Sequence, residues 1–468
     1  MTAGVADGDL AAMSGLILRD VEIDGRSGLD VRLSAGRIAQ IGVGLKGPEE
    51  TVDGRGGALI AGLHDHHIHL FALAARARSL DVGAASRAGP AAFADALRAA
   101  AAGLPPGAWL RAFGFDESAA GLPDRAILDA IVPDRPVRVQ DRTGALWILN
   151  SAALAKARIG DGDIDANGRI WRGDAWLRRR LDDGPPSLAE VGADLARWGV
   201  TGVTDASVTT DDDQAGAFAA AIDRRELVQH LTLMSGGALR EDPAGRFAVG
   251  PVKLLFDDRD LPDFDAAQAL VACARSWGRP VAAHCVTAAE LAFFLALLGD
   301  GGARPGDRVE HGGVISPDAA DLIADLGLTV VTQPAFVAAK GDRYLAEVDP
   351  ADQPWLYPCG SLLAAGIRVA ASSDAPYGPV DPWAAIAAAT VRRTAKGRVL
   401  GAGERIGAAR ALALFQGEAQ GPGGPLRRVG VGAPADLCLL HVPLADALAD
   451  PTSDHVRATL IAGAVIPR

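Results

Sequence analysis

RPVAAHCVTAAELAFFLALLGDGGARPGDRVEHGG, residues 279–313, runs from one apolar strand through an Ala/Leu-rich helix into a second apolar strand. VAAHC does not alternate apolar and polar residues as a half-solvated strand would, and RVEHGG is read as a run of the same kind. Continuously apolar strands joined by helices belong to a parallel sheet covered on both faces. The pattern spreads outward in both directions. Upstream stand PVRVQD (136–141), GVTGVTDA (199–206) and GPVKLLF (250–256), and downstream LTVVTQPAF (328–336) and IRVAASSDAP (367–376). Helical stretches at 92–102, 187–198, 266–277, 288–298, 317–326 and 404–415 lie among them. About eight strand–helix units in ~350 residues predict a distorted (β/α)8 TIM-like barrel. A doubly wound open sheet is the alternative, but no phosphate-type Gly fingerprint follows the first strand.

The ends read differently. GLILRDVEI (15–23) opens a series of short alternating strands with Gly-rich turns, and the pattern returns in LRRVGVGAPADLCLLHV and HVRATLIAGAVI near the C-terminus. Both termini are therefore expected to build one small β-sandwich, from residues 1–58 and 426–468, around a barrel over 59–425. Met13 begins the better patterned stretch, and the first dozen residues read as a loose tail.

The 468 residues are 49% hydrophobic and 22% charged, which excludes a disordered or collagen-like chain. The net charge of −12 argues against nucleic-acid binding, which draws on a basic surface. Cys273, Cys285, Cys359 and Cys438 form no CxxC pair and read as reduced thiols of a cytoplasmic protein. The N-terminus carries Asp7 and Asp9 and no basic region, unlike a signal peptide. The strongest apolar run, LAFFLALL (291–298), is too short to span a membrane. A small-molecule substrate is the expected partner; the oligomeric state, a homodimer included, stays open.

Four of the nine histidines fall in GLHDHHIHL: His64, His66, His67 and His69. Strand alternation aims His67 and His69 into one cavity together with Asp65, and sends His64 and His66 the other way. Neutral imidazole is a common zinc ligand. His284, His311 and Asp374 each end an apolar run, on the face of a barrel where functional residues converge. Lys253, one of only five lysines, sits between Val252 and Leu254. Buried there, its amine is neutral, paired or modified. A neutral amine can take up carbon dioxide as a carbamate able to bridge two metal ions; an ion pair with Asp257 or Asp258 is the alternative. Cys285, beside His284, points to the opposite face and is read as buried and inert. Asp116 and Glu117 could contact substrate or cap the next turn. Gln333, Phe336 and Tyr377 are expected at pocket walls.

These residues resemble the amidohydrolase superfamily, and within it amidohydrolase family 3, which includes N-substituted formamide deformylases. AGLHDHHIHL is similar to the family's first-strand PGFxDxHxHL, and WLRAFGFDES to its GRGWDES. AAHC, RVEHGG, TQPAF and SSDAP match its later strand ends in order, and GVGAPADLCLL its GxxADLxxL. The resemblance implies a distorted barrel with a small sandwich and a zinc-dependent hydrolase of amide or formamide C–N bonds. It gives His67, His69, Lys253, His284, His311 and Asp374 the metal-site roles, for one or two zinc ions, with carboxylated Lys253 bridging a pair. Asp374 would be the general base and acid. Ala145 stands where the family often has His, and Asp257-Asp258 where it has Asp-Gly. Two other functions stay open at this level: a single-metal deaminase or cyclic-amide hydrolase, and a non-catalytic binding or regulatory protein on a barrel scaffold.

Overall fold

A computed structural model describes residues 15–160, 164–181 and 184–467; the tail expected over the first dozen residues lies outside them. Eight parallel strands form the central sheet. In chain order they are Leu63–Ile68, Val200–Asp205, His230–Ser235, Phe247–Leu255, Val281–Cys285, Arg308–His311, Thr329–Thr332 and Arg368–Ala371. We refer to them as the first to eighth barrel strands. Each pairs in parallel with the next.

The fifth strand shows how local sequence builds the unit. Thr287 begins a capping box: its hydroxyl accepts from Glu290 N at 3.2 Å while Glu290 Oε2 accepts from Thr287 N at 3.1 Å and Val286 N at 2.7 Å. The helix Ala288–Gly301 that follows buries Leu291, Phe294, Leu295 and Leu298 at helical spacing.

Closure runs between the first strand and the segment after the eighth. Asp374 N donates to His67 O and His69 N donates to Ala375 O, each at 2.8 Å. Asp65 Oδ1 accepts from Ser373 N at 3.0 Å and from His67 N at 3.2 Å. Gly313 lets the sixth-strand turn pass the fifth strand: a Cβ there would stand 2.3 Å from Val286 O.

The termini form two four-stranded sheets. Leu16–Ile23, Arg26–Ser34, Arg37–Gly42 and Glu50–Asp53 make one; Leu59–Ala61, Leu437–Leu440, Val456–Ile461 and Ala464–Ile466 make the other. Leu18, Val31, Leu33 and Ile38 share a core with Leu437, Leu439 and Leu460, which is the expected sandwich. Its last hairpin turns through Ala462 and Gly463, with φ of 48° and 81°.

Residues Phe71–Ser187 are a compact unit of their own. They hold a five-stranded sheet that includes Val137–Asp141 and Leu146–Leu149. Here the structure corrects the strand reading. PVRVQD is not a barrel strand: Val137–Asp141 pairs antiparallel with Leu146–Leu149 through a short turn, leaving no room for a crossover helix. His230–Ser235 takes the vacated place in the barrel.

Candidate metal centre

Strand register sets the inner layer of the barrel. Lys253 lies beside Ala282 and Arg308, and Leu255 beside His284 and, in turn, Glu310. Neighbours in register share a face, so Lys253, His284, Arg308 and Glu310 stand on one side of the sheet. His311 should then face away, yet its backbone has a φ of 70°, and its ring stands 4.5 Å from that of His284 and 4.7 Å from that of His67. Asp374 is also left-handed, with a φ of 51°. Two non-glycine residues in this region mark strain held by the surrounding structure.

His67, His69 and Asp374 each offer one ligand atom, all within 4.8 Å of one another. Asp374 Oδ1 stands 3.2 Å from His69 Nε2 and 3.5 Å from His67 Nε2, and its Oδ2 is 3.9 Å from His311 Nδ1. Three rings are held through Nδ1: His67 by Glu310, His69 by Ser207 at 3.0 Å, His311 by the Gln333 amide oxygen at 3.0 Å. Carboxylate and amide oxygens only accept, which assigns the proton of His67 and of His311 to Nδ1. The Nε2 lone pair of His67 is then free for a metal, and that buried atom has no hydrogen-bond partner among the described residues.

The electrostatics agree with a cation-binding site. Burial, aided by the charge of Lys253, lowers the pKa of His67 to about 4 against the pull of Glu310 and Asp374. Burial lowers His311 to about 3. Burial would raise Asp374, but contact with His69 and the charges of His311 and His67 outweigh it and hold the carboxyl well below its usual range. Neutral imidazoles beside an ionised carboxylate are the protonation states a divalent ion requires. Lys253 is 4% exposed and its Nζ has no hydrogen-bond partner among the described residues. Burial lowers its pKa, with Glu310 and Asp374 opposing. Asp257, one sequence candidate for pairing it, instead meets Arg259 at 3.1 Å.

The other residues singled out from sequence separate clearly. His64 and His66 are buried with rings 4.6 Å apart; His64 Nε2 lies 2.9 Å from Thr204 Oγ1 and its backbone N donates to Phe415 O. Cys285 is 1% exposed and burial pushes its thiol well up, so it stays protonated. Gln333 bridges His311 to Ser372, donating to the Ser372 hydroxyl at 2.9 Å. Phe336 packs with Val337, Leu356 and Tyr357 in a buried cluster. Tyr377 is 36% exposed, edge-on to His69 at 5.6 Å. Asp116 lies in the 71–187 unit and caps the Glu117–Ala120 turn, accepting from Ser118 N at 3.0 Å. Ala145, in the same unit, sits between the Val137–Asp141 and Leu146–Leu149 strands. Sequence reasoning missed Glu310, Arg308 and Ser207. The first two carried a visible signal: charged side chains two apart, on either side of Val309, in a strand buried throughout.

A profile of the amidohydrolase family matches residues 50–467. The N-substituted formamide deformylase of Arthrobacter pascens is 25% identical over 88% of this chain and 89% of its own length. An uncharacterized metal-dependent hydrolase from Pyrococcus horikoshii OT3 has a similar fold, with a TM-score of 0.68 and 20% identity over 86% of this chain and 92% of its own. The N-isopropylammelide isopropylaminohydrolase of Burkholderia multivorans is similar at a TM-score of 0.55 and 17% identity, over 97% and 98% of the two chains. With the profile covering nearly the whole sequence, the chain belongs to the amidohydrolase family and is a metal-dependent hydrolase of carbon–nitrogen bonds.

Proposed function

We propose that the protein is a zinc-dependent hydrolase that cleaves the C–N bond of a small amide or formamide, with Asp374 moving the proton. The observation that carries this is the buried Nε2 of His67, without a hydrogen-bond partner among the described residues, facing the Asp374 carboxylate beside His69. A buried polar atom left without a partner is costly, and a bound cation removes that cost. The formamide side of the reading is supported by the deformylase of Arthrobacter pascens.

His67, His69 and Asp374 would hold one zinc ion and His284 and His311 a second, with a carboxylated Lys253 shared by the pair. When bound, zinc supplies a Lewis acid for the carbonyl and lowers the pKa of a coordinated water to roughly 7. Asp374, kept ionised by its surroundings, accepts the proton of the attacking water. The C–O bond forms, the C–N bond breaks, and Asp374 returns the proton to the leaving nitrogen, giving an acid and an amine. The backbone bonds that close the barrel, Asp374 N to His67 O and His69 N to Ala375 O, hold the segments that carry His67, His69 and Asp374 together. A single-ion deaminase or cyclic-amide hydrolase with unmodified Lys253 is the second reading, favoured by the compactness of the His67–His69–Asp374 cluster. Cys273, Cys285 and Cys359 are free thiols, as suits a cytoplasmic location.

Asp374→Asn tests the mechanism. It keeps the shape and an oxygen ligand but cannot take up a proton. It should fold, retain much of its zinc and turn over amides or formamides at least about a hundredfold more slowly. Equal rates at equal zinc loading would remove Asp374 from proton transfer.

A further inference from the structure

Glu310 is fully buried, and its two carboxylate oxygens are divided between two partners. Oε2 receives His67 Nδ1, and Oε1 stands 2.5 Å from Arg308 Nε. Arg308 is 1% exposed; its Nη2 donates to the His66 carbonyl at 3.3 Å and lies 3.7 Å from Met234 Sδ. The chain Arg308–Glu310–His67 thus links the sixth strand to the first and is anchored against the backbone that presents the histidines.

A buried charge needs a reason. A neutral partner would satisfy His67 Nδ1, as Ser207 and Gln333 do for the other two rings. Among the three, only His67 has a carboxylate hydrogen-bonded to its Nδ1. A carboxylate does two things a neutral group does less well. It can only accept, so it fixes the proton on Nδ1, and its charge makes Nε2 a stronger donor to a metal. Arg308 supplies the opposite charge that keeps a carboxylate ionised at this depth.

We propose that Glu310 is a positioning residue for metal binding: it locks His67 in the Nδ1–H form and strengthens Nε2 as a ligand, while Arg308 holds the carboxylate in place. This rests on the metal-centre reading above. The competing role is a structural ion pair that secures the barrel and leaves the ligand untouched.

The experiment uses the full chain stripped of metal. Zinc affinity is measured by competition with a chromophoric chelator, and the His67 tautomer by 15N-histidine correlation spectra, assigned through His67→Asn. Glu310→Ala should bind zinc about 10- to 100-fold more weakly and lose the Nδ1–H signature of His67. Glu310→Gln restores an acceptor without the charge, so it should recover the tautomer and only part of the affinity. If Glu310→Ala does not fold because Arg308 is stranded, the Arg308→Met/Glu310→Leu double variant decides. It removes both charges at similar volume, a change that buried pairs often tolerate. Zinc affinity within twofold of wild type in a folded variant lacking the carboxylate, or an unchanged His67 tautomer in Glu310→Ala or the double variant, overturns the proposal. A wild-type chain that takes up no zinc overturns the metal-centre reading instead, and the tautomer measurement still reports whether Glu310 governs His67.

Discussion

His67 and His69 share a cavity because a strand places alternate side chains on one face, and the same rule turns His64 and His66 outward. His64 contacts Thr204 on the neighbouring second strand, and His67 and His69 meet Asp374. His67→Ala and His69→Ala should therefore strip zinc. His64→Ala and His66→Ala should leave zinc bound and cost about 1–3 kcal/mol of stability by opening the packed layer behind the barrel. Elemental analysis paired with thermal unfolding separates the two classes; metal loss in His64→Ala or His66→Ala would place the first strand in the wrong register. The alternation rule fails at the sixth strand, where Glu310 and His311 are adjacent yet both reach the site. The left-handed backbone of His311 swings its ring inward, and no pattern of residue types announces a φ of 70° before a Gly-Gly pair. That is why Glu310 escaped a reading that placed His311 among the ligands.

The seam of the barrel offers a test of how elements hold the site. Asp65 accepts two backbone N–H groups, from His67 in the first strand and Ser373 after the eighth. It is 3% exposed, and burial raises its pKa to about 6 despite those bonds. Asp65→Ala would leave both donors buried without an acceptor, at about 1–3 kcal/mol each. The expected result is a loss of roughly 2–6 kcal/mol in unfolding free energy, with weaker zinc retention, because the seam carries ligands on both sides. Asp65→Asn keeps an acceptor oxygen and should stay within about 1.5 kcal/mol of wild type. Similar stability losses in both variants would show that the charge, not the acceptor, closes the barrel. The seam's residues were legible as a strand and a strand end, because apolar runs flanked by Gly and Pro mark both. The strand inventory was legible only in part. PVRVQD and HLTLMS are both short runs that periodicity cannot assign to one sheet or another; the hairpin partner of Val137–Asp141 and the parallel neighbours of His230–Ser235 decide it.

Barrel and sandwich are tied where Asp436 begins the return to the C-terminal sheet. Its carboxylate accepts from Ala462 N at 2.8 Å and meets His230 Nε2, at the start of the third barrel strand, at 2.9 Å, while its carbonyl accepts from Gly62 N at 2.9 Å. The hydrogen bond to Asp436 raises the pKa of His230 above its ordinary 6.5, against partial burial. The folded state therefore favours the protonated ring. Its contribution is complete below 6.5 and fades as pH rises through the folded value. Asp436 moves the other way: burial would raise it, but the hydrogen bond and charge of His230 lower it below 3.8, so its share is present above 3.8 and fades on acidification. The ionic link should be strongest between those limits. Because the His230 side chain is 58% exposed, solvent screening keeps the effect small, on the order of 0.5 kcal/mol. His230→Gln retains a neutral donor to Asp436 and so isolates the charge. The stability gap between wild type and His230→Gln, measured by denaturant unfolding, should be widest at about pH 5 and close by about pH 9. A gap that does not change over that range would mean that the protonated ring contributes nothing to holding the sandwich on the barrel.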